Sequence, residues 1–412
     1  MRAHVIGAGL AGLAAALSLA EAGVQVTLYE VGPAAGGRCR SYFDRGLGCR
    51  IDNGNHMLLS GNQAAMGYLE QIGSRLSLAG PGEPFFPFLD LDNDERWAVR
   101  LSGGRFPWWI LRRSCRVPGS RLPEYFALLA LRRAAADATV ATVLGRAGEL
   151  YRRLLEPLAI AALNTRPDVA LARLLGVVVQ ETLLRGGAAC IPSFPRVGLS
   201  ETFVDPALVW LGKRGGRLLC GRRIAGLRIE GGRVRSLQVP EGAVELGKED
   251  AAVLAVPAWV AADLLPDLVA PDAFEAIMNV HFRIDVPPGR AGFLCLLGGT
   301  AEWIFIKSGI ISITISAASR LLERSSEEIA ALVWPDVRRA LILPEPMPPV
   351  RVVKEKRATF AATAAQERRR PPARTPLANL ALAGDWTATG LPATIEGAIR
   401  SGRSAAGVLL GG

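Results

Sequence analysis

Histidine is scarce in this sequence: there are three, at positions 4, 56 and 281. A multi-histidine metal centre cannot be assembled from so few, and no metal site is expected. The six cysteines, at 39, 49, 115, 190, 220 and 295, include no C-x-x-C pair. That argues against a metal ribbon and a disulfide scaffold, and for a reduced chain in the cytoplasm. Lysine is equally sparse at five residues, so arginine supplies most of the net charge of +10. A basic chain attracts nucleic acid or anionic lipid. No stretch has the pattern of a nucleic-acid module, so no nucleic-acid partner is expected. Residues counted as apolar make up 50% of the chain, yet no apolar run reaches the roughly 18 residues that a membrane span requires. The longest candidate, Ala8 to Ala20, is interrupted by glycines and followed by Glu21. The N-terminus lacks a basic region followed by an apolar stretch and a cleavage site, which argues against secretion.

What is present is organised around RAHVIGAGLAGLAAALSLAEAGVQVTLYE, residues 2–30. His4 to Gly7 reads as a short strand, Leu13 to Ala22 as an Ala/Leu-rich helix ended by Gly23, and Val24 to Tyr29 as the next strand. Between strand and helix stands Gly7-Ala8-Gly9-Leu10-Ala11-Gly12, a G-x-G-x-x-G turn. Gly7 permits the tight turn, Gly9 lets backbone approach a pyrophosphate, and Gly12 lets helix and strand pack closely. The helix N-terminus then faces the phosphates, and Glu30, closing the second strand, can accept from a ribose hydroxyl. The spacing predicts dinucleotide binding; the plainer alternative is a glycine turn that merely packs a helix.

Gly32-Pro33-Ala34-Ala35-Gly36-Gly37-Arg38 follows directly. This loop resembles the second motif of the large flavoprotein family that holds amine oxidases, protoporphyrinogen oxidases and phytoene desaturases. The resemblance implies FAD as cofactor, backed by Gly36 and Gly37, with Arg38 reaching its phosphates; otherwise Arg38 is a surface residue. Asp52-Asn53-Gly54-Asn55-His56 comes next, and the resemblance implies that this turn lays backbone of Asn53, Gly54 and Asn55 against the flavin ring. Its D-N-G-x-H form resembles the squalene-associated branch, the hydroxysqualene dehydroxylases of hopanoid synthesis, as does the later pattern of Gly198-Leu199-Ser200, F-x-D-P and Arg214-Gly215-Gly216. An imidazole beside a flavin can donate a proton to a leaving hydroxyl because its pKa lies near operating pH. His56 is therefore either that acid or a brace for the turn, and Asp52 either caps the turn or joins the chemistry.

Gln63 to Leu76 reads as helix, and Ala79 to Pro123 as a loop-rich insertion. Within it Trp97, Phe106, Trp108, Trp109 and Ile110 lie close to Arg105, Arg112, Arg113 and Arg116. Amphipathic rings beside cations suit a membrane interface; they equally suit core aromatics with arginines on the surface. Tyr125 to Gly186 is largely helical, with apolar stripes that fit either a substrate tunnel or an ordinary core. Strands are expected at Leu218 to Cys220, Ile224 to Ile229 and Asp250 to Val256, with a Gly231-Gly232 hairpin turn. The family pattern implies that backbone at Ile224 meets the adenine. Val280 to Ile315 is β-rich and should floor the substrate pocket, Glu327 to Leu341 is a helix, and 357–377 reads as a polar surface connection.

Near the C-terminus a buried strand ends in Gly384-Asp385, and Thr394-Ile395-Glu396 opens a helix. This resembles the last FAD motif of the family, which implies that Asp385 holds the ribityl–pyrophosphate region and that Thr394, Ile395 and Glu396 sit at the flavin end. The fold expected is α/β: a Rossmann-like FAD-binding domain of the glutathione-reductase type with an inserted α+β substrate domain. The FAD domain is read as residues 1–76, 199–275 and 353–412, and the substrate domain as 77–198, mostly helical, and 276–352, mostly sheet. No second G-x-G-x-x-G lies between strand and helix, so a dedicated NAD(P)H domain is not expected and the electron donor stays unnamed. The resemblance implies reductive removal of the allylic hydroxyl of hydroxysqualene to give squalene. It further implies a long apolar isoprenoid substrate. The basic balance and the aromatic–arginine stretch add the expectation of a peripheral protein at the inner face of the cytoplasmic membrane. The alternatives are a carotenoid-type desaturase, a non-redox flavin mutase acting on a phosphorylated substrate, and an amine oxidase. The last would lack a C-terminal tyrosine cage, because every tyrosine falls at or before Tyr151.

Overall fold

The computed structural model describes residues 1–104 and 106–411. Five parallel strands form the first sheet, in the order Arg217–Cys220, Gln25–Glu30, Arg2–Ile6, Ala251–Leu254, Leu380–Leu382. The inner strands are almost wholly apolar because both faces are covered. On one face the helices Leu10–Glu21, Gln63–Gln71, Asp205–Gly212 and Ile395–Leu410 share a core with Val5, Val26, Leu28 and Val253. On the other, Val234 and Leu237 of a three-stranded antiparallel sheet join Leu254 and the helix Ala258–Leu264. Small residues set the spacing of these layers. A Cβ on Gly402 would stand 2.2 Å from the Ala11 carbonyl oxygen, so the first and last helices touch backbone to backbone.

The second sheet has seven strands, in the order Val350–Phe360, Phe274–Phe282, Ile310–Ile315, Trp303–Lys307, Phe293–Leu297, Phe85–Asp90, Glu95–Arg100. Strict alternation gives it two faces. Met278, Val280, Phe282, Ile311, Ile313 and Ile315 pack against Ile329, Val333 and Val337 of the helix Ser326–Leu341. Asn279, His281, Ser312 and Thr314 point the other way, in register with one another.

Two stretches depart from the sequence expectation. Residues 85–100 are not loop but a hairpin on the edge of the seven-stranded sheet. It is clamped to the helical insertion through Arg152 and Arg153, which both reach the fully buried Asp90. The segment after 357 is not a polar surface connection either. Its first residues complete the strand Val350–Phe360, and Arg370 is buried, its guanidinium stacked 4.8 Å over Phe360 and bonded to the Thr387 and Asp385 carbonyls. A guanidinium can be buried this way because its fork of donors is satisfied by carbonyls around it. Arg105 lies outside the described residues.

Candidate active site

The glycine turn is fixed from both sides. Gly7 adopts φ +102 and a Cβ there would lie 2.5 Å from the Ala255 carbonyl oxygen, so only glycine fits. Gly9 differs: its φ is −73 and a Cβ would meet no protein atom within 4 Å. The helix that starts at Leu10 has no side-chain cap, so the N–H groups of its first turn, at Leu10, Ala11 and Gly12, have no intrahelical partner. An open cradle walled by uncapped N–H groups suits an anion. Glu30 holds the cradle's shape, accepting from Ala8 N at 3.0 Å and Gly32 N at 2.8 Å. Gly36 N donates to the Ala8 carbonyl at 2.8 Å, and Gly37 lies directly beneath Gly9. Ile224 is buried beside this end of the sheet, where Arg222 N meets the Glu30 carbonyl at 2.8 Å.

Arg38 and Asp385 pair at 2.7 Å, joining the second and third glycine motifs. Asp385 is buried while 42% of the Arg38 side chain remains exposed. Arg38 therefore offers charge to a ligand, and Asp385 aims it. Thr394 caps the last helix by accepting from Gly397 N at 3.0 Å, leaving backbone N–H at buried Ile395 and at Glu396 in the first turn. The Glu396 side chain is not available to a cofactor. Its two oxygens accept from Ala64 N, Ala65 N and Arg400 Nε at 2.8–3.0 Å, capping the helix Gln63–Gln71. Gly384 N donates to Ser401 Oγ at 2.8 Å, which seats the strand end on that helix.

The turn 52–56 runs across the seven-stranded sheet. Asp52 is clamped: Oδ1 accepts from Ser41 Oγ at 2.6 Å and Leu199 N at 2.8 Å, and Oδ2 from Lys307 Nζ at 2.5 Å. Asn53 N donates to the Arg40 carbonyl, and its amide to Glu355 at 3.2 Å. Gly54 lies on Asn279, which donates to the Asn53 carbonyl at 3.3 Å. Asn55 Nδ2 donates to Thr314 Oγ1 at 3.0 Å, while its Oδ1 is buried with no partner among the described residues. That orphaned acceptor fits a ligand bearing an N–H or O–H donor. His56 is half-buried, and desolvation pushes its imidazole down to about 4. At neutral pH only about one molecule in a thousand would carry the cation. This is the physical obstacle to His56 as proton donor; a neutral ring can instead orient a hydroxyl by a hydrogen bond.

Residues 10–284 and 307–410 match the family of flavin containing amine oxidoreductases. The hydroxysqualene dehydroxylase of Zymomonas mobilis is 45% identical over 407 residues, covering 99% of this chain and 98% of that one. The Rhodopseudomonas palustris enzyme of the same name is 46% identical over 408 residues, with the same coverage. The chain belongs to the hydroxysqualene dehydroxylase family. An oxidoreductase from Methanosarcina mazei shares the fold, with a TM-score of 0.72 at 16% identity over 98% of this chain and 99% of that one. The cofactor of this family is FAD, and the residues present fit it: a cradle left open at Gly9, cationic Arg38, the uncapped helix N-terminus at Leu10, the N–H groups at Ile395 and Glu396, and the orphaned Asn55 oxygen.

Three residues that the structure brings against the 52–56 turn escaped the sequence. Lys307, Asn279 and Thr314 come from strands read only as pocket floor. Their signal was polar residues set into otherwise apolar strands, Asn279 with His281 in FEAIMNVHF, Thr314 with Ser312 in IISITI, and Lys307 at the end of WIFIK. His281 is fully buried, with Nδ1 2.6 Å from Ser312 Oγ, and burial pushes it down to about 4.

Two outcomes are expected. Gly9→Ala should purify folded but colourless, because its Cβ clashes with nothing except a bound pyrophosphate; circular dichroism and flavin absorbance check this. Asp52→Ala should lose about 3–5 kcal/mol in denaturant unfolding, because Lys307 is left buried and unpaired. Adding Lys307→Met should recover much of the loss.

Proposed function

We propose that this protein removes the allylic hydroxyl of hydroxysqualene to give squalene, in squalene and hopanoid synthesis, using reduced FAD. The observation that carries the substrate class is an apolar aromatic floor beside the flavin turn. Leu58–Leu59 pairs with Pro192–Pro195 in a register that brings Met57 opposite Phe194. Those two meet Phe293, Phe305 and partly buried Trp303 and Phe86 in one cluster. Ring centroids lie 5.6 Å apart for Phe194–Phe305 and 6.3 Å apart for Phe293–Trp303. Such a wall favours a long isoprenoid and disfavours the phosphorylated substrate of a mutase. Dehydroxylation is favoured over desaturation because relatives named for it align along 99% of the chain, whereas the zeta-carotene desaturases align over 18–19%.

FAD, when bound, supplies the hydride. The chain's own part is to place and shield the substrate. Arg38 and the backbone N–H groups at Leu10 and Ile395 would hold the cofactor in the cradle that Glu30 shapes, Asn53 to Asn55 would line its ring end, and neutral His56 would orient the substrate oxygen. The aromatic floor excludes water from the reacting carbon.

The reading extends to a peripheral site on the inner face of the cytoplasmic membrane. The structure divides the aromatic segment by role. Trp97 stacks on Phe88 at 5.4 Å and Trp109 meets Tyr125 edge-on at 5.4 Å, so both serve the core. Phe106, Trp108, Leu111, Phe126 and Leu129 are exposed, and so are Arg112, Arg113, Arg132 and Arg133. A cavity of about 810 Å³ lined by Leu129, Arg132, Arg133 and Val143 opens among them. Among the described residues no helix is long and apolar enough to cross a bilayer. Exposed rings flanked by arginines suit an anionic bilayer surface instead.

Under anaerobic conditions, adding hydroxysqualene to the reduced holoenzyme should return the oxidised flavin spectrum with a matching yield of squalene. Unchanged flavin and no squalene would refute the assignment. For the membrane face, the wild type should sediment with vesicles containing phosphatidylglycerol, and added salt should weaken this. Phe106→Ser/Trp108→Ser should bind several-fold less; equal binding would refute this docking face.

A further inference from the structure

An asparagine amide carries a donor and an acceptor of nearly the same shape, so its neighbours decide which one a site presents. At the turn 52–56 the backbone makes that decision. The Asn53 carbonyl can only accept, and the Asn55 N–H can only donate. Asn279 meets both: its Nδ2 donates to the Asn53 carbonyl at 3.3 Å, and its Oδ1 accepts from Asn55 N at 3.4 Å. Gly54 permits this approach, since a Cβ there would stand 3.0 Å from Asn279 Nδ2. The same Oδ1 takes the Thr314 hydroxyl proton at 3.0 Å. With its proton committed, Thr314 Oγ1 can only accept, and it accepts from Asn55 Nδ2 at 3.0 Å. Turning the Asn55 amide over would draw the Thr314 proton away from Asn279. The Thr314 and Asn279 oxygens would then face each other at 3.0 Å with no proton between them. The orientation of the Asn55 amide is therefore fixed from the strands Phe274–Phe282 and Ile310–Ile315.

Asn55 Oδ1 is what this chain of bonds leaves over. It is buried and has no partner among the described residues. A buried acceptor without a donor is costly, and here two side chains hold it in that condition. In the loaded enzyme two donors could meet it, the substrate hydroxyl and a ring N–H of the flavin. The hydroxyl departs in every turnover, and squalene brings no donor in its place. The flavin stays. Its N5 hydrogen is the one given up as hydride, and an acceptor placed there would hold it back. Its N3–H is present in the oxidised and the reduced ring alike, so a permanent acceptor suits N3.

We propose that Asn55 Oδ1 accepts a hydrogen bond from the flavin N3–H, and that Asn279 and Thr314 are positioning residues that keep the amide turned that way. The inference needs FAD alone and does not depend on which substrate the enzyme takes. No proton or electron changes hands in it. A fixed acceptor at N3 would set how far the ring slides along the turn, and with it where N5 stands relative to Met57 and the aromatic floor.

The test strips the flavin from the protein and refills it with FAD or with FAD methylated at N3; no substrate is required. The wild type should bind the methylated cofactor about 10- to 100-fold more weakly than FAD. Asn55→Ala, which removes the acceptor, should bind the two within about threefold of each other. Thr314→Val should narrow the gap as well, and Thr314→Ser should restore it. Each variant serves as its own reference, because a loosened fold weakens both cofactors alike. In wild type refilled with FAD carrying nitrogen-15 at N3, the N3 proton should exchange slowly with water, and its resonance should shift in Asn55→Ala. Equal affinity of the wild type for the two cofactors would overturn the proposal, as would an N3 proton that exchanges as fast as in free FAD. A preference for FAD that survives Asn55→Ala would assign N3 to another group and overturn it too. If that variant instead binds hydroxysqualene more weakly while keeping its FAD preference, the acceptor belongs to the substrate and the proposal falls.

Discussion

The buried contact between Asp52 and Lys307 is the constraint on which the site depends. It joins residues 255 positions apart and ties the turn after the glycine motifs to the seven-stranded sheet. Burying two ions is costly unless their remaining valences are met. Here Asp52 also takes Ser41 Oγ and Leu199 N, so the carboxylate locks the hairpin Ser41–Asp52, the start of the segment that returns to the first sheet, and the second sheet onto one point. Everything downstream in the turn inherits its position from that point. Asn53, Gly54 and Asn55 step across the strands carrying Glu355, Asn279 and Thr314, and Met57 arrives over the aromatic floor. The ion pair is thus more a matter of registry than of net stability.

A second constraint is the economy of carboxylates around the cofactor cradle. Glu30, Asp385 and Glu396 sit where a flavoprotein needs acids, and each has protein partners. Glu30 shapes the cradle, Asp385 aims Arg38, and Glu396 caps a neighbouring helix. Their contribution to binding is largely preorganisation: the donors facing the cofactor are set before it arrives.

This division explains what could be read in advance. The glycine turn, the Gly-Gly-Arg loop and the Gly-Asp strand end were legible because each is local, and its spacing encodes a backbone conformation. The destinations of side chains were not. Nothing adjacent to Glu396 says that its carboxylate reaches Ala64 and Ala65, and nothing near Asp52 points to Lys307. Arg370 looked like surface because its neighbours are polar; its carbonyl partners at Asp385 and Thr387 lie beyond a proline-rich bend. The hairpin at 85–100 was hidden by its prolines and by its need for a partner strand, Phe293–Leu297, some 200 residues away.

The order of strands in the parallel sheet has a consequence for biogenesis. Its strands come from residues 2–30, 217–254 and 380–382, and the outermost is the last to be made. The first helix is sealed only when Gly402 of the final helix slides against Ala11. The cofactor cradle therefore closes only when residues far apart in sequence have met, and loop closures this long are slow. Until then the apolar inner strands lack their native partners, the condition that exposes a folding chain to misassociation. Because FAD would bind the closed cradle and not the open one, its binding would draw the chain toward the closed fold by mass action.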